Sequence, residues 1–107
     1  MGIDIERMRQ SAETASVLLA ALGNEHRLLI LCQLAGGERR VAELQPLTGL
    51  SQSSLSQHLA RLRRDGLVGT RRERQAIYYS LASPEAARVI ETLYQLYCEG
   101  GRVGPAC

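Results

Sequence analysis

The 107-residue sequence predicts a mainly α-helical domain carrying one small β-hairpin. Three observations lead there. Apolar residues recur at steps of three and four through five separate segments, the period drops to two between Leu67 and Leu81, and Gly-containing breaks separate the segments. A chain of this length buries one modest core, and a partner subunit would add to it.

From Ile5 to Leu22, the residues Ile5, Met8, Ala12, Ala15, Leu19 and Leu22 line one face of an amphipathic first helix, which Gly23-Asn24 breaks. A second helix begins near Glu25. Leu28, Leu29, Ile30, Leu31, Cys32 and Leu34 make it apolar almost all round, the pattern of a central, buried helix, and Ala35-Gly36-Gly37 ends it. A short third helix over Val41 to Thr48 is expected to turn Val41, Leu44 and Leu47 inward. Gly49 stops it, and Ser51 stands where an N-cap would start a fourth helix at Gln52. There Leu55, Leu59 and Leu62 form the stripe that must be buried. Ser53, Gln57 and Arg64 point away from it, with Ser54, Ser56 and Arg61 on the flanks.

After Asp65-Gly66, the segments Leu67 to Glu73 and Gln75 to Leu81 read as two strands turning near Glu73-Arg74. Ser83 as cap and Pro84 at the first helical position open a last helix, which runs through Ala87, Ile90, Leu93, Tyr94 and Tyr97 to about Cys98. Residues 1–98 are thus expected to form one domain and 99–107, rich in Gly, a flexible tail. No stretch is long enough to span a bilayer, and the N-terminus lacks the basic-then-apolar order of a signal peptide, so a cytoplasmic location is expected.

Two short helices joined by a Gly-containing turn and followed by a basic hairpin make a winged helix-turn-helix, in the order α1-α2-α3-α4-β1-β2-α5. Such a fold sets its second short helix in the major groove of DNA. The charge distribution agrees. Residues 61–74 hold six Arg against Asp65 and Glu73, a local excess of four, whereas the rest of the chain is negative by two. Candidate DNA contacts are Ser51, Gln52, Ser53, Ser54, Ser56, Gln57, His58, Arg61 and Arg64 on the fourth helix, and Arg71, Arg72 and Arg74 on the hairpin. Gln57 has the amide that pairs with adenine, and the free amides at the helix start suit a phosphate. His58 reads as a packing or phosphate-contact residue, not as a metal ligand. No nucleophile is paired with an oriented base, so an enzyme is not expected, nor any cofactor.

The stretches Leu22 to Cys32, Leu50-Ser-Gln-Ser-Ser-Leu-Ser-Gln-His-Leu59, Gly66-Leu-Val68 and Arg71 to Tyr79 resemble the ArsR/SmtB family of homodimeric bacterial repressors, over residues 12–98. The resemblance implies a homodimer through the first and last helices and binding of double-stranded DNA at an inverted-repeat operator. Many members sense metals. The arsenic and cadmium type carries a Cys-x-Cys pair on the third helix, where this chain has Arg40 and Ala42, which cannot ligate a soft metal. The zinc type places Asp and His on the last helix, and neither residue occurs between Pro84 and Cys98. No metal is therefore expected at either usual site.

Three cysteines remain, Cys32, Cys98 and Cys107, an odd number that does not read as a structural disulfide framework. Ile30-Leu-Cys-Gln-Leu34 and Leu93-Tyr-Gln-Leu-Tyr-Cys98 are similar to the family subgroup that includes SqrR, BigR and HlyU. That subgroup responds to persulfides, polysulfides or oxidants through a cysteine pair. What this implies is a redox-sensing role for Cys32 and Cys98, with reactive sulfur species as inducer and a disulfide or polysulfide bridge lowering operator affinity. Three alternatives stand beside it: a peroxide or general redox sensor using the same pair, a metal sensor using all three thiolates, and a protein-interaction module whose basic hairpin is incidental.

Overall fold

The computed structural model describes residues 2–98, so the expected tail and Cys107 lie outside the described residues. The elements are α1 (Ile5–Leu22), α2 (Glu25–Ala35), α3 (Val41–Thr48), α4 (Gln52–Arg64), β1 (Val68–Glu73), β2 (Ala76–Leu81) and α5 (Pro84–Tyr97). Four of the five helices start on a side chain that holds an otherwise orphaned amide. Asp4, Asn24, Ser51 and Ser83 accept from the backbone N–H of Arg7, Arg27, Ser54 and Ala86. In α3 the cap position is Arg40, and Glu43 reaches back to accept from its N–H at 2.9 Å.

The two tight turns around α4 need left-handed backbone. Gly49, at φ 73°, ends α3 and donates to the Gln45 carbonyl at 2.8 Å. Gly66, at φ 79°, ends α4 in a Schellman arrangement. Its own N–H meets the Arg63 carbonyl at 3.1 Å and that of Leu67 meets the Leu62 carbonyl at 2.9 Å. Leu62 and Leu67 are both buried, the apolar contact this motif favours.

The core sits where α2, α3 and α4 meet. Ile30, Leu31, Leu44, Leu55, Leu59 and Leu62 are fully buried, and Leu67, Val68, Ala86 and Ile90 close it from the hairpin and α5. Each such large side chain contributes about 1.5–3 kcal/mol by leaving water. The antiparallel pair β1–β2 runs in register from Val68↔Leu81 to Glu73↔Ala76. Each strand is one residue shorter at its start than the alternation suggests. Leu67 is taken by the α4 cap, and Gln75 shares the two-residue turn with Arg74, whose φ is 58°. Arg39 adds an isolated bridge to the hairpin. Its N–H donates to the Tyr79 carbonyl at 3.0 Å and its carbonyl accepts from the Tyr79 N–H at 2.8 Å.

Of the apolar face of α1, Ile5, Met8 and Leu19 are exposed, while Leu22, with Ala21 beside it, is buried at the C-terminal end. Two burial expectations are corrected. Helix α2 is not buried all round, since Leu29 keeps 45% of its surface exposed and Cys32 is exposed. The buried side of α2 carries Arg27, Ile30, Leu31 and Leu34, and the side of Leu29 and Cys32 is left uncovered. Leu47 is likewise exposed, at the end of α3 where the chain turns into α4, leaving Leu44 as the buried residue of that helix.

Candidate functional site

The first candidate surface is the outer face of α4. With Leu55, Leu59 and Leu62 fixed inward, the helical period leaves Gln52, Ser53, Ser56, Gln57 and Arg64 exposed, with Ser54, His58 and Arg61 half-buried beside them. Ser51 is exposed, but its hydroxyl is already in use. It accepts from the Ser54 N–H at 3.2 Å and lies 3.3 Å from the Ser53 hydroxyl. The first turn of α4 carries no acidic residue, so its amides keep their attraction for an anion. Arg61, Arg63 and Arg64 occupy the last turn, where cations also complement the helix dipole. Arg61 lies 3.6 Å from Asp65, an i,i+4 pair.

His58 packs against α2. Its ring centroid is 5.9 Å from that of His26, the planes tilted by 36°. Burial, then the nearby Arg27, His26 and Arg61, push its pKa below the usual histidine value, which favours the neutral ring. Arg27, nearly buried, turns back to α1. Its Nε donates to the Ala21 carbonyl at 2.9 Å and its Nη2 to the Ala20 carbonyl at 3.1 Å, satisfying the end of that helix.

The hairpin forms the wing. Arg72 and Arg74 are exposed, and neither is held by an ion pair among the described residues. Arg71 is held. Its Nε and Nη2 donate to the Glu38 carboxylate at 2.7 and 2.9 Å, its Nη1 donates to Glu73 at 3.0 Å, and its guanidinium carbon lies 4.4 Å from the Tyr78 ring centre. These bonds hold the Glu38 carboxyl below its usual pKa and Arg71 above its own.

The second candidate surface is a cavity of about 650 Å³ between α2 and α5. Cys32 and Cys98 both line it, amid apolar neighbours that include Leu28, Ile90, Leu93, Tyr94 and Tyr97. Cys32 is a free thiol with exposed surface, yet its apolar surroundings push its pKa above the ordinary thiol value. Cys98, the C-cap of α5, is disulfide-bonded, so no bond joins it to Cys32 here. Among the described residues, no cluster of three or more His, Cys, Asp or Glu side chains is placed to hold a metal ion.

Residues 24–70, which span α2 through α4 into the wing, match the family model described as bacterial regulatory protein, arsR family. Over 94% of the chain the sequence is 49% identical to the transcriptional activator HlyU of Vibrio cholerae, covering 93% of that protein. The chain belongs to the ArsR family.

Solved ArsR-family structures agree with the fold. Reduced HlyU from Vibrio cholerae superposes with a TM-score of 0.82 at 52% identity, over 88% of this chain and 99% of that one. The transcriptional repressor BigR from Xylella fastidiosa gives 0.85 at 37% identity, over 92% and 100%. Mb0332 from Mycobacterium bovis, a homodimeric winged helix-turn-helix DNA-binding domain, gives 0.73 at 30% identity, over 96% and 100%. As an ArsR-family regulator the chain is a DNA-binding winged helix, not an enzyme. Among its described residues no single helix is long and apolar enough to cross a membrane.

Three residues of this ArsR-family site are not singled out by sequence reasoning. Arg63 is exposed beside Ser56 and Tyr79, and the local charge excess is the signal that includes it. Arg27 and Glu38 act through partners whose proximity no local pattern announces.

Proposed function

We propose that the protein is a homodimeric, cytoplasmic repressor. It would grip an inverted-repeat operator through α4 and the wing and release it when Cys32 and Cys98 become bridged by reactive sulfur. The observation that carries the DNA half is the capped, acid-free start of α4. It stands beside exposed Ser53, Ser56, Gln57 and Arg64 on a chain of the ArsR family. Gln52, Ser53, Ser56 and Gln57 face base edges, Gln57 as an adenine reader, while Ser54, His58, Arg61, Arg64, Arg72 and Arg74 hold the register on phosphates and Ser51 caps the helix whose first amides receive one. The homodimer reading is supported by exposed apolar side chains on the proposed interface helices, Ile5, Met8 and Leu19 on α1 and Tyr94, Leu96 and Tyr97 on α5.

The sensor half rests on Cys32 and Cys98 lining one cavity between a core helix and a proposed interface helix. Once a thiol reductant has opened the Cys98 disulfide so that both cysteines are thiols, an organic persulfide RSSH transfers its outer sulfur to one of them, giving Cys–SSH and RSH. The second thiol attacks the inner sulfur, which forms the disulfide and releases hydrogen sulfide. When both cysteines are first persulfidated, one displaces hydrogen sulfide from the other and the bridge keeps one additional sulfur. A disulfide needs Cβ atoms about 3.5–4.5 Å apart, and added sulfur spans a wider gap with less helix movement. Burial raises the pKa of Cys32, which lowers its thiolate fraction toward persulfide and peroxide alike, so the selection rests on the span of the bridge. Clearing an operator takes about 3–5.5 kcal/mol of coupling between the thiol site and the DNA face.

The test is intact-protein mass spectrometry after polysulfide and, separately, after peroxide, beside a DNA-binding assay. Linked peptides of Cys32 and Cys98 carrying whole additional sulfur atoms, with loss of binding, are the expected outcome. A Cys32→Ser/Cys98→Ser double variant that still releases DNA on polysulfide treatment would sink the sensor reading and leave the DNA reading intact.

A further inference from the structure

We infer that Arg71 is the positioning residue of the wing and not one of its phosphate ligands, a reading that rests on the proposed DNA face. Four contacts commit its guanidinium within the molecule. The Glu38 carboxylate takes two parallel hydrogen bonds, Glu73 takes a third, and the Tyr78 ring lies beneath the guanidinium carbon. Glu38 lies 33 positions away in the sequence, in the segment leading into α3, so the fork ties the wing to the start of the helix-turn-helix. One residue further on, the same segment is already joined to β2 by the Arg39–Tyr79 backbone pair.

Arg71 stands opposite Tyr78 in the register, so backbone and side chain fasten the same part of the hairpin. A planar guanidinium suits this work, because two parallel bonds fix direction as well as distance, which an ammonium cannot do. Three of the five N–H groups of Arg71 are taken by carboxylates, so a phosphate could reach only the remaining two and would meet the Glu38 and Glu73 charges beside them. Arg72 and Arg74 are exposed and meet no such competition among the described residues. The wing then has a division of labour, with Arg71 setting its angle against α3 and α4 and its neighbours supplying charge to the DNA backbone.

Salt dependence separates the two roles, since each phosphate ligand removed lowers the slope of log K against log salt by about 0.9. Two probes serve: a duplex enriched by the native protein from a random-sequence library, and a scrambled duplex of the same composition. Arg72→Gln is expected to flatten the slope on both. Arg71→Gln, Arg71→Lys and Glu38→Gln should leave the slope unchanged and reduce discrimination between the duplexes by roughly fivefold or more. The Arg71→Gln/Glu38→Gln pair should do no worse than either alone, because the two residues act as one unit. Arg71→Lys decides the matter, since it keeps the charge and loses the fork. Native discrimination with Arg71→Lys, or a slope flattened by Arg71→Gln as much as by Arg72→Gln, would overturn the inference. Binding by the native chain that ignores salt would instead sink the DNA reading beneath it.

Discussion

Arg74 sits at the tip of the wing with φ 58°, a conformation that costs a side chain with a Cβ about 1–2 kcal/mol. Gly or Asn would occupy that turn position without strain, so a cation is held there against the local backbone preference. Replacing Arg74 with Gly is expected to raise stability by up to about 1 kcal/mol, read by urea denaturation, while weakening DNA binding and flattening its salt slope. Stability and affinity should thus move in opposite directions. A second expectation concerns His58. Its pKa is depressed in the folded chain, so as pH falls the unfolded chain takes up the proton first. The stability that neutral His58 brings is complete above the ordinary histidine value and is lost as pH falls through the folded-state value. Thermal melts between about pH 7.5 and 5.5 should show a falling midpoint, and His58→Gln should make that fall shallower. Neither feature is legible in the sequence. Arg74 is recognisable there as a charge near a turn, but its strain depends on which residues the register leaves unpaired, and the environment of His58 is built by α2.

Among the elements, α1 has a period that identifies the helix and leaves the partner of its apolar face open. Steps of three and four establish a helix with an apolar face, but not what that face meets. The chain fastens α1 only at its C-terminal end, where Ala21 is buried and Arg27 bonds the Ala20 and Ala21 carbonyls. Arg27→Ala is expected to cost about 2 kcal/mol, because it removes charged donors from carbonyls at the helix end. Loss of helical signal during chemical unfolding would report it. A variant within about 0.5 kcal/mol of the native chain would show that water satisfies those carbonyls equally well. By contrast, the boundaries of α3 and α4 are legible almost to the residue. Their determinants are local: Gly49 in left-handed backbone, Ser51 as cap, and the Leu stripe that only one rotation can bury.

At the scale of the whole molecule, the buried residues are few for the number of apolar ones, and the uncovered ones gather on α1 and α5. Ile5 and Leu19 keep 61% and 62% of their surface exposed, and Tyr97 keeps 59%. Under the proposed dimer, Leu19→Glu should shift the protein to monomer in sedimentation at micromolar concentration. DNA affinity should fall with it, since two half-sites would no longer be held together. A Leu19→Glu protein that stays dimeric would place the interface elsewhere. The cavity shared by Cys32 and Cys98 follows from the same architecture. Family resemblance points to the two cysteines, but which helix faces enclose them is a property of the packed chain.

One consequence of the α5 anchoring concerns leverage. Ala86 and Ile90 are its buried residues, both in the first half, while Cys98 caps the far end. The span from Ile90 to Cys98 is about 12 Å at helical rise. A sulfur tie that drew the tip inward by about 1 Å would swing the rod by roughly five degrees about its buried root. Whatever a second subunit rests on that rod would be turned by the same amount.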